Sequence, residues 1–119
     1  MVDSPLLTKS KAFALDTIRV CNEIKRSQKE NILTNQLVRS GTSIGANIRE
    51  AFYAHSKADF IAKLQIALKE CYETEYWLEI LHKVNAINDV TYKCLANKCG
   101  TIRRKLIASV TTAKARKEK

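Results

Sequence analysis

Few residues in this sequence have types and spacings that could carry out chemistry, and Glu79 and His82 are one such pair. Di-iron helical bundles use a Glu-x-x-His step twice, together with two further glutamates on facing helices. This sequence has a single step of that kind, and its second predicted helix adds only Glu50. We therefore interpret Glu79 as an exposed glutamate and His82 as a histidine beside the core. We expect no metal, no cofactor and no enzymatic activity.

The segment 37–51 holds two further candidates for chemistry. Gly41 and Gly45 could suggest a phosphate-binding loop, but the Gly-x-x-x-x-Gly-Lys-Ser/Thr pattern is missing and no predicted strand precedes the segment. Ser40 and Ser43 could act as nucleophiles, but both histidines of the chain lie on other segments without the logic of a catalytic triad. A structural role is the interpretation that we favour for this segment.

The cysteines indicate a reducing environment. Cys21, Cys71, Cys94 and Cys99 form no Cys-x-x-Cys pair and no zinc-finger spacing. We interpret them as small buried hydrophobes, with a disulfide or incidental metal binding as the alternative. Residues 1–11 lack the apolar stretch of a signal peptide, and no apolar run approaches the length of a membrane span. We therefore expect a soluble, cytoplasmic protein.

Hydrophobic residues recur at helical spacing along most of the 119 residues, and only three Gly and one Pro interrupt them. This pattern predicts helices at about residues 4–28, 31–54, 57–84 and 89–114, with a frayed tail at 115–119. Ser4, Ser56 and Asn88 are the expected caps. The apolar stripe of the first helix is predicted to be Leu7, Ala14, Ile18, Cys21 and Ile24. Short links between the helices predict an all-α fold, an up-down-up-down antiparallel four-helix bundle formed by a single domain over residues 1–119.

The third predicted helix carries more apolar surface than one core requires. Ile66, Trp77, Ile80 and Val84 form a second face, well over 100° from the main stripe at 100° per residue. A second apolar face with a tryptophan is typical of a further contact. We predict self-association through these residues, and the alternative is that neighbouring helices or the tail cover them.

The second predicted helix combines glycines with polar residues beside its apolar stripe. Each interior glycine costs about 1 kcal/mol relative to alanine, so we expect another backbone to approach closely. Polar groups on the shoulder of a core require hydrogen-bond partners. We expect Asn47 and Glu50 to meet partners on a neighbouring helix. The predicted network consists of Arg39, Ser40, Ser43, Asn47, Glu50, Lys63 and Glu70.

Four segments carry a resemblance to a known family. They are RSGTSIGANIREA at 39–51, DFIAKL at 59–64, IALKE at 66–70 and ETEYWL at 73–78. Together they cover the middle of the chain and resemble the signature of the 23S rRNA intervening-sequence proteins, a family of bacterial four-helix bundles. The first and last helices match this family in pattern more than in residues.

The resemblance implies a bundle that assembles into a ring, a homopentamer. The family is similar to the accessory protein of diversity-generating retroelements, a basic pentameric barrel that binds nucleic acid and a reverse transcriptase. The resemblance therefore suggests a nucleic acid, a reverse transcriptase or another protein as the partner. It transfers no catalytic residues.

The formal net charge of +9 is concentrated at the end of the chain, where residues 89–119 hold nine basic and two acidic residues. Such a surface attracts phosphate backbones. The predicted nucleic-acid-binding residues are Lys93, Lys98, Arg103, Arg104, Lys105, Lys114, Arg116 and Lys117. Only Tyr92 lies near this basic run in the sequence, which argues against base stacking.

Two functions remain open on this sequence. The first is weakly sequence-selective binding of RNA or DNA by an oligomeric bundle, because phosphate contacts carry little sequence information. The second is a structural adaptor that docks a protein and binds no nucleic acid, with the basic residues serving as solvated charge at a helix end. We expect no membrane partner, because the last predicted helix lacks Trp and Phe anchors.

Overall fold

A computed structural model describes residues 4–116 of the chain, and these residues form four α-helices. The helices are α1 (Pro5–Gln28), α2 (Ile32–Phe52), α3 (Lys57–Lys83) and α4 (Asp89–Ala115). The predicted residue Lys117 and the end of the predicted tail, residues 117–119, lie outside the described residues. No helix within residues 4–116 is both long enough and apolar enough to cross a membrane.

Side-chain caps begin three of the helices at the residues that the sequence predicted. Ser4 Oγ accepts a hydrogen bond from a backbone N–H of α1 at 3.2 Å, and Ser56 Oγ does the same for α3 at 3.0 Å. Asn88 Oδ1 accepts from α4 at 2.7 Å. These oxygens satisfy N–H groups that have no partner inside their helix. Each cap therefore fixes where a connection ends and the next helix begins.

Residues in the left-handed backbone conformation lie at the beginning of two of the connections between helices. Lys29, at the end of α1, has φ 57°, and Asn85, after α3, has φ 62°. A left-handed residue just past a helix reverses the chain direction within a few residues. The following helix therefore runs back beside the preceding one.

Each helix packs against its neighbours in chain order, and α4 also packs against α1. This arrangement confirms the predicted up-down-up-down bundle, which measures 54 × 22 × 19 Å. All four helices contribute to one core, whose largest fully buried side chains include Phe13, Leu37, Ile44, Ile48, Leu64, Leu78, Leu81, Leu95, Ile102 and Leu106.

The buried row of α1 differs from the predicted one by a single residue at several positions. The residues that face the core are Leu6, Ser10, Phe13, Thr17, Cys21 and Ile24, so the predicted Leu7, Ala14 and Ile18 are only half-buried. The reason is the contact with α2. Ser10 and Thr17 are small enough to lie against that helix. Because both are polar, the spacing of apolar residues does not assign them to the row that faces the core.

The two glycines of α2 explain this contact. A Cβ added to Gly41 would lie 3.1 Å from Thr17 Cγ2, and one added to Gly45 would lie 3.3 Å from Ser10 Oγ and 3.5 Å from the Ser10 carbonyl carbon. A side chain at either position would crowd α1. At Gly45 the predicted close approach to another backbone is confirmed, with α1 as the neighbour, whereas at Gly41 the nearest atoms belong to the Thr17 side chain.

Candidate nucleic-acid interface

Helix α4 carries basic side chains over most of its circumference outside the core. Arg103, Arg104 and Lys105 are consecutive, so they point about 100° apart around the helix. Arg103 turns toward α3, where its Nε donates to Glu75 Oε1 at 3.0 Å. Lys105 lies two helical turns after Lys98, which faces α1, and Arg104 points outward between them. The basic surface therefore extends across α4 from one neighbouring helix to the other.

Two of the predicted basic residues are already held by carboxylates. The hydrogen bond to Glu75 raises the pKa of Arg103, and the Arg103 guanidinium carbon lies 5.8 Å from the centre of the Tyr72 ring. Lys98 Nζ donates to Asp16 Oδ2 at 2.7 Å, and this bond raises the pKa of Lys98. These two pairs tie α4 to α3 and to α1. Their charges are partly compensated within the molecule.

The remaining basic residues of the surface are the ones available to an outside anion. Within residues 4–116, no carboxylate lies within ion-pair distance of Lys93, Arg104, Lys105, Lys114 or Arg116. Arg104 donates only to the hydroxyl of Thr101, at 3.3 Å. The seven predicted residues within the described range thus divide into two bridging residues and five that face solvent or are half-buried at the edge of the bundle.

The structure adds one residue that the sequence analysis missed. Lys9 of α1 lines a cavity of about 220 Å³ between α1 and α4, together with Asp16, Lys98 and Thr101. It therefore extends the basic surface from α4 onto α1. The charge pattern of α1 gave no signal for this, because only the pairing of the two helices brings Lys9 beside Lys98.

The structure corrects the expectation that Tyr92 is the only aromatic residue near the basic run. Tyr72, Tyr76 and Tyr92 line one cavity between α3 and α4 together with Arg103. Tyr72 and Tyr76 are each 54% exposed. The sequence places them more than twenty-five residues before Arg103, so no pattern along the chain could reveal this proximity.

Between α2 and α3, the structure brings most of the predicted polar residues together. Arg39 contacts Glu70 at 3.6 Å and makes a closer ion pair with Glu73, a residue that the prediction omitted. Lys63 Nζ lies 3.1 Å from Glu50 Oε1. All three ion pairs join α2 to α3 at the edge of the bundle, where pairs open to solvent contribute at most about 1 kcal/mol each.

Below these ion pairs lies a buried hydroxyl pair. Thr74 Oγ1 donates to Ser40 Oγ at 2.9 Å, and both side chains are fully buried. Asn47 differs from the expectation, because its amide donates to the Ser43 carbonyl of its own helix at 2.8 Å rather than to a neighbouring helix. Its side chain returns to the preceding turn, a local bond that polar side chains form readily within helices.

The predicted association face of α3 is only partly open. Ile66 is 42% exposed and Val84 is 57% exposed, whereas Ile80 is half-buried. Trp77 is also half-buried and packs against the core, and its Nε1 is buried without a hydrogen-bond acceptor among the described residues. The ends of the face are therefore exposed, while the indole lies against its own bundle.

The histidine and the cysteines that were first considered for chemistry make contacts typical of structural residues. His82 Nε2 lies 2.6 Å from Asp89 Oδ1, and this hydrogen bond lowers the pKa of Asp89. The His82 ring also stacks on Tyr92, with 4.2 Å between the ring centres. Among residues 4–116, no three histidine, cysteine or acidic side chains are grouped to hold a metal ion. The four cysteines, all inside the described range, are free thiols, and Cys94 is exposed while the other three are buried.

The fold and this surface define the class of protein, a basic antiparallel four-helix bundle. Residues 3–108 of the chain match the family described as 23S rRNA-intervening sequence protein. Because the match covers most of the chain, the chain belongs to this family. The resemblance identified in the sequence is thereby confirmed.

A solved structure supports the same assignment. A protein with unknown function from the S23 ribosomal protein family of Bacteroides thetaiotaomicron VPI-5482 superposes with a TM-score of 0.87. It is 46% identical and covers 88% of this chain and 97% of its own. Neither its description nor that of the family names an enzymatic activity. A comparison with curated proteins gives no match.

Proposed function

We propose that the protein is a non-enzymatic, oligomeric bundle that binds the phosphate backbone of RNA or DNA in the cytoplasm. The observation that carries the proposal is the set of cations on α4 and at its C-terminal cap that have no carboxylate within ion-pair distance among residues 4–116: Lys93, Arg104, Lys105, Lys114 and Arg116. Cations without a carboxylate in direct contact are available to phosphates, and their binding releases counterions from the nucleic acid.

Other observations support this proposal. Lys9 continues the basic surface across the cavity beside Lys98, so a backbone that crosses α4 also meets α1. The family is named for sequences within rRNA genes. Its similarity to the accessory protein of diversity-generating retroelements makes a reverse transcriptase a candidate protein partner. Free thiols at all four cysteines, which lie inside the described range, fit a reducing compartment.

The binding test uses charge removal at matched positions. Labelled RNA and DNA are titrated by fluorescence anisotropy from about 50 to about 200 mM salt. We expect affinity to fall with salt, and Lys93→Ala plus Arg104→Ala to weaken both nucleic acids alike. The slope of log affinity against log salt is negative, and its magnitude should decrease by about 0.7 for each phosphate of a single strand that the variant no longer neutralises.

The control removes the same charge from another part of the molecule. Lys11 and Arg49 are exposed residues of α1 and α2. Lys11→Ala plus Arg49→Ala should leave the affinity and the salt slope nearly unchanged. An equal loss in both double variants would show that only net charge matters and would contradict a defined surface. No binding at low salt would refute nucleic-acid binding and favour the adaptor function.

Self-association is the second part of the proposal. Ile66 and Val84 expose apolar surface along the α2–α3 side of the bundle, and Trp77 lies between them, half-buried against the core. We expect copies to associate through this side, in a ring as the family resemblance implies. A ring would repeat the α4 surface in every copy and so strengthen the attraction for a polyanion.

Sedimentation of the wild type and two variants tests this association. Ile66→Glu places a charge on the proposed interface, and Leu15→Glu places one at a similarly exposed position of α1, at 42% and 45% exposure respectively. We expect only Ile66→Glu to dissociate the assembly, because burying an unpaired charge is unfavourable. A wild type that sediments as a monomer at tens of micromolar would refute the self-association.

A further inference from the structure

The groove between α3 and α4 is lined by aromatic side chains on both sides. It is an open cavity of about 350 Å³, whose lining includes Tyr72, Tyr76 and Tyr92 together with Glu79 and Arg103. Tyr72 and Tyr76 are more than half exposed, although large aromatic side chains normally contribute to a core. Their ring surfaces are therefore available to a ligand.

Several contacts hold the groove in place. Tyr92 stacks on His82 with an interplanar angle of 5°, and the rings of Tyr76 and Trp77 make an edge-to-face contact with 5.1 Å between their centres. Arg103 is bound to Glu75 and lies over Tyr72. The aromatic rings thus have defined neighbours on one side. A ligand that enters the groove would meet rings whose positions are already set.

The outward face of α3 continues the groove with a defined charge pattern. Lys69, Tyr72, Tyr76, Glu79 and Lys83 follow one another at intervals of three and four residues, and all five are exposed. They form one line along the helix. The two lysines at its ends are about 21 Å apart, from 1.5 Å per residue. Two aromatic rings therefore lie between two cations.

We propose that this groove stacks unpaired bases, and that the protein therefore prefers single-stranded nucleic acid to a duplex. This inference rests on the proposed function, because the phosphates of the same strand would contact the basic surface of α4. Base–aromatic stacking is the common means by which proteins hold single strands without reading their sequence.

The charges around the groove indicate where the bases and the phosphates of a bound strand would lie. Glu75 is neutralised by Arg103, whereas Glu79 has no basic partner within ion-pair distance in residues 4–116. A carboxylate repels a phosphate but accepts hydrogen bonds from the amino groups of bases. We therefore expect bases in the groove, with phosphates outside it, toward Arg104 and the lysines at the ends of the α3 line.

The spacing of the tyrosines favours an extended strand. Tyr72 and Tyr76 are about 6 Å apart along the helix axis, whereas successive nucleotides of a duplex strand rise about 3.4 Å. A strand must unstack and extend before consecutive bases can each lie on one ring. A duplex keeps its bases paired inside and could present only phosphates to the protein.

The test compares two double variants, one that removes both aromatic rings and one that keeps them. Tyr72→Leu plus Tyr76→Leu removes both aromatic surfaces, and Tyr72→Phe plus Tyr76→Phe keeps them. Labelled single strands of RNA and DNA, and duplexes of the same length, are titrated by anisotropy. We expect the leucine variant to bind single strands about ten-fold or more weakly, with unchanged duplex affinity and salt slope. The phenylalanine variant should resemble the wild type, and circular dichroism melting confirms that both variants fold.

The outcomes separate this inference from the proposed function. Salt-dependent binding of single strands that is the same in both variants would overturn base stacking but leave backbone binding in place. No binding of any nucleic acid by the wild type would overturn both. An arginine-rich peptide that binds the wild type but not Glu79→Gln, with single strands insensitive to the leucine changes, would assign the groove to a cationic protein segment and overturn the inference.

Discussion

Alanine substitutions at two helical glycines should change stability in opposite directions. In both cases alanine gains about 1 kcal/mol of helix propensity over glycine. At Gly100 the new Cβ would meet only the flexible ends of Arg103 and Arg104, at 3.5 and 3.3 Å. At Gly41 it would lie 3.1 Å from the methyl group of Thr17, which is fully buried between α1 and α2.

The magnitudes follow from these distances. At Gly100 the end of Arg104 can move aside, and the Arg103 guanidinium at 3.5 Å is in ordinary van der Waals contact, so Gly100→Ala should stabilise the protein by nearly the whole propensity gain. Overpacking of a buried contact costs about 1–3 kcal/mol, which exceeds the gain at Gly41. We expect Gly41→Ala to be destabilising by about 1 kcal/mol. For a chain of this length, 1 kcal/mol corresponds to about 4 °C in Tm.

Urea unfolding followed by circular dichroism measures these changes. The additional variant Thr17→Ser removes the crowding methyl group while it keeps the hydroxyl, so it should restore much of the stability of Gly41→Ala. Each double variant is compared with its single variants, since residues in contact are not additive. If Gly41→Ala stabilises the protein as much as Gly100→Ala does, the close contact between α1 and α2 does not constrain this position, and the reasoning fails.

Two further predictions concern buried groups. Thr74→Val should lower the free energy of unfolding by about 1 kcal/mol, because it removes the hydrogen bond to Ser40. Adding Ser40→Ala should recover part of this loss, because both hydroxyls are then gone. Urea unfolding of the two single variants and the double variant measures these changes, and a double variant less stable than either single one would contradict the prediction. Alkylation of the native protein near neutral pH should modify one thiol per chain, at the exposed Cys94. Cys21, by contrast, is fully buried, and desolvation raises its pKa to about 11. Mass spectrometry of the labelled protein measures this, and rapid labelling of Cys21 would contradict the prediction and show that α1 opens readily.

Most of the fold could be predicted from the sequence because its signals are local. Apolar spacing reveals each long helix, and caps such as Ser56 and Asn88 mark where a helix begins. The row that faces the core in α1 was predicted wrongly, because Ser10 and Thr17 fill positions that a hydrophobic pattern assigns to solvent. Their burial depends on glycines in another helix, and no periodicity within α1 records it.

The candidate site was less predictable, since it depends on contacts between helices. The charge of α4 was visible in the sequence, but the partners that compensate Lys98 and Arg103 belong to α1 and α3. The tyrosine groove was missed for the same reason, because Tyr76 and Tyr92 meet only across the α3–α4 contact. A pattern along one helix predicts a face, but it does not predict what that face will contact.

The up-down-up-down order has a practical consequence for attaching anything to the protein. With an even number of antiparallel helices in the described range, Ser4 and Arg116 lie at the same pole of the bundle, and Lys57 Nζ donates to the Arg116 carbonyl there. The turn that contains Asn85 lies at the opposite pole, along the 54 Å axis. The groove extends from Tyr92, close to that turn, to Arg103, midway along α4. A domain joined before Ser4 or after Arg116 would therefore attach at the end of the bundle away from Tyr92. A circular permutant opened at the turn would instead present its new ends beside Tyr92.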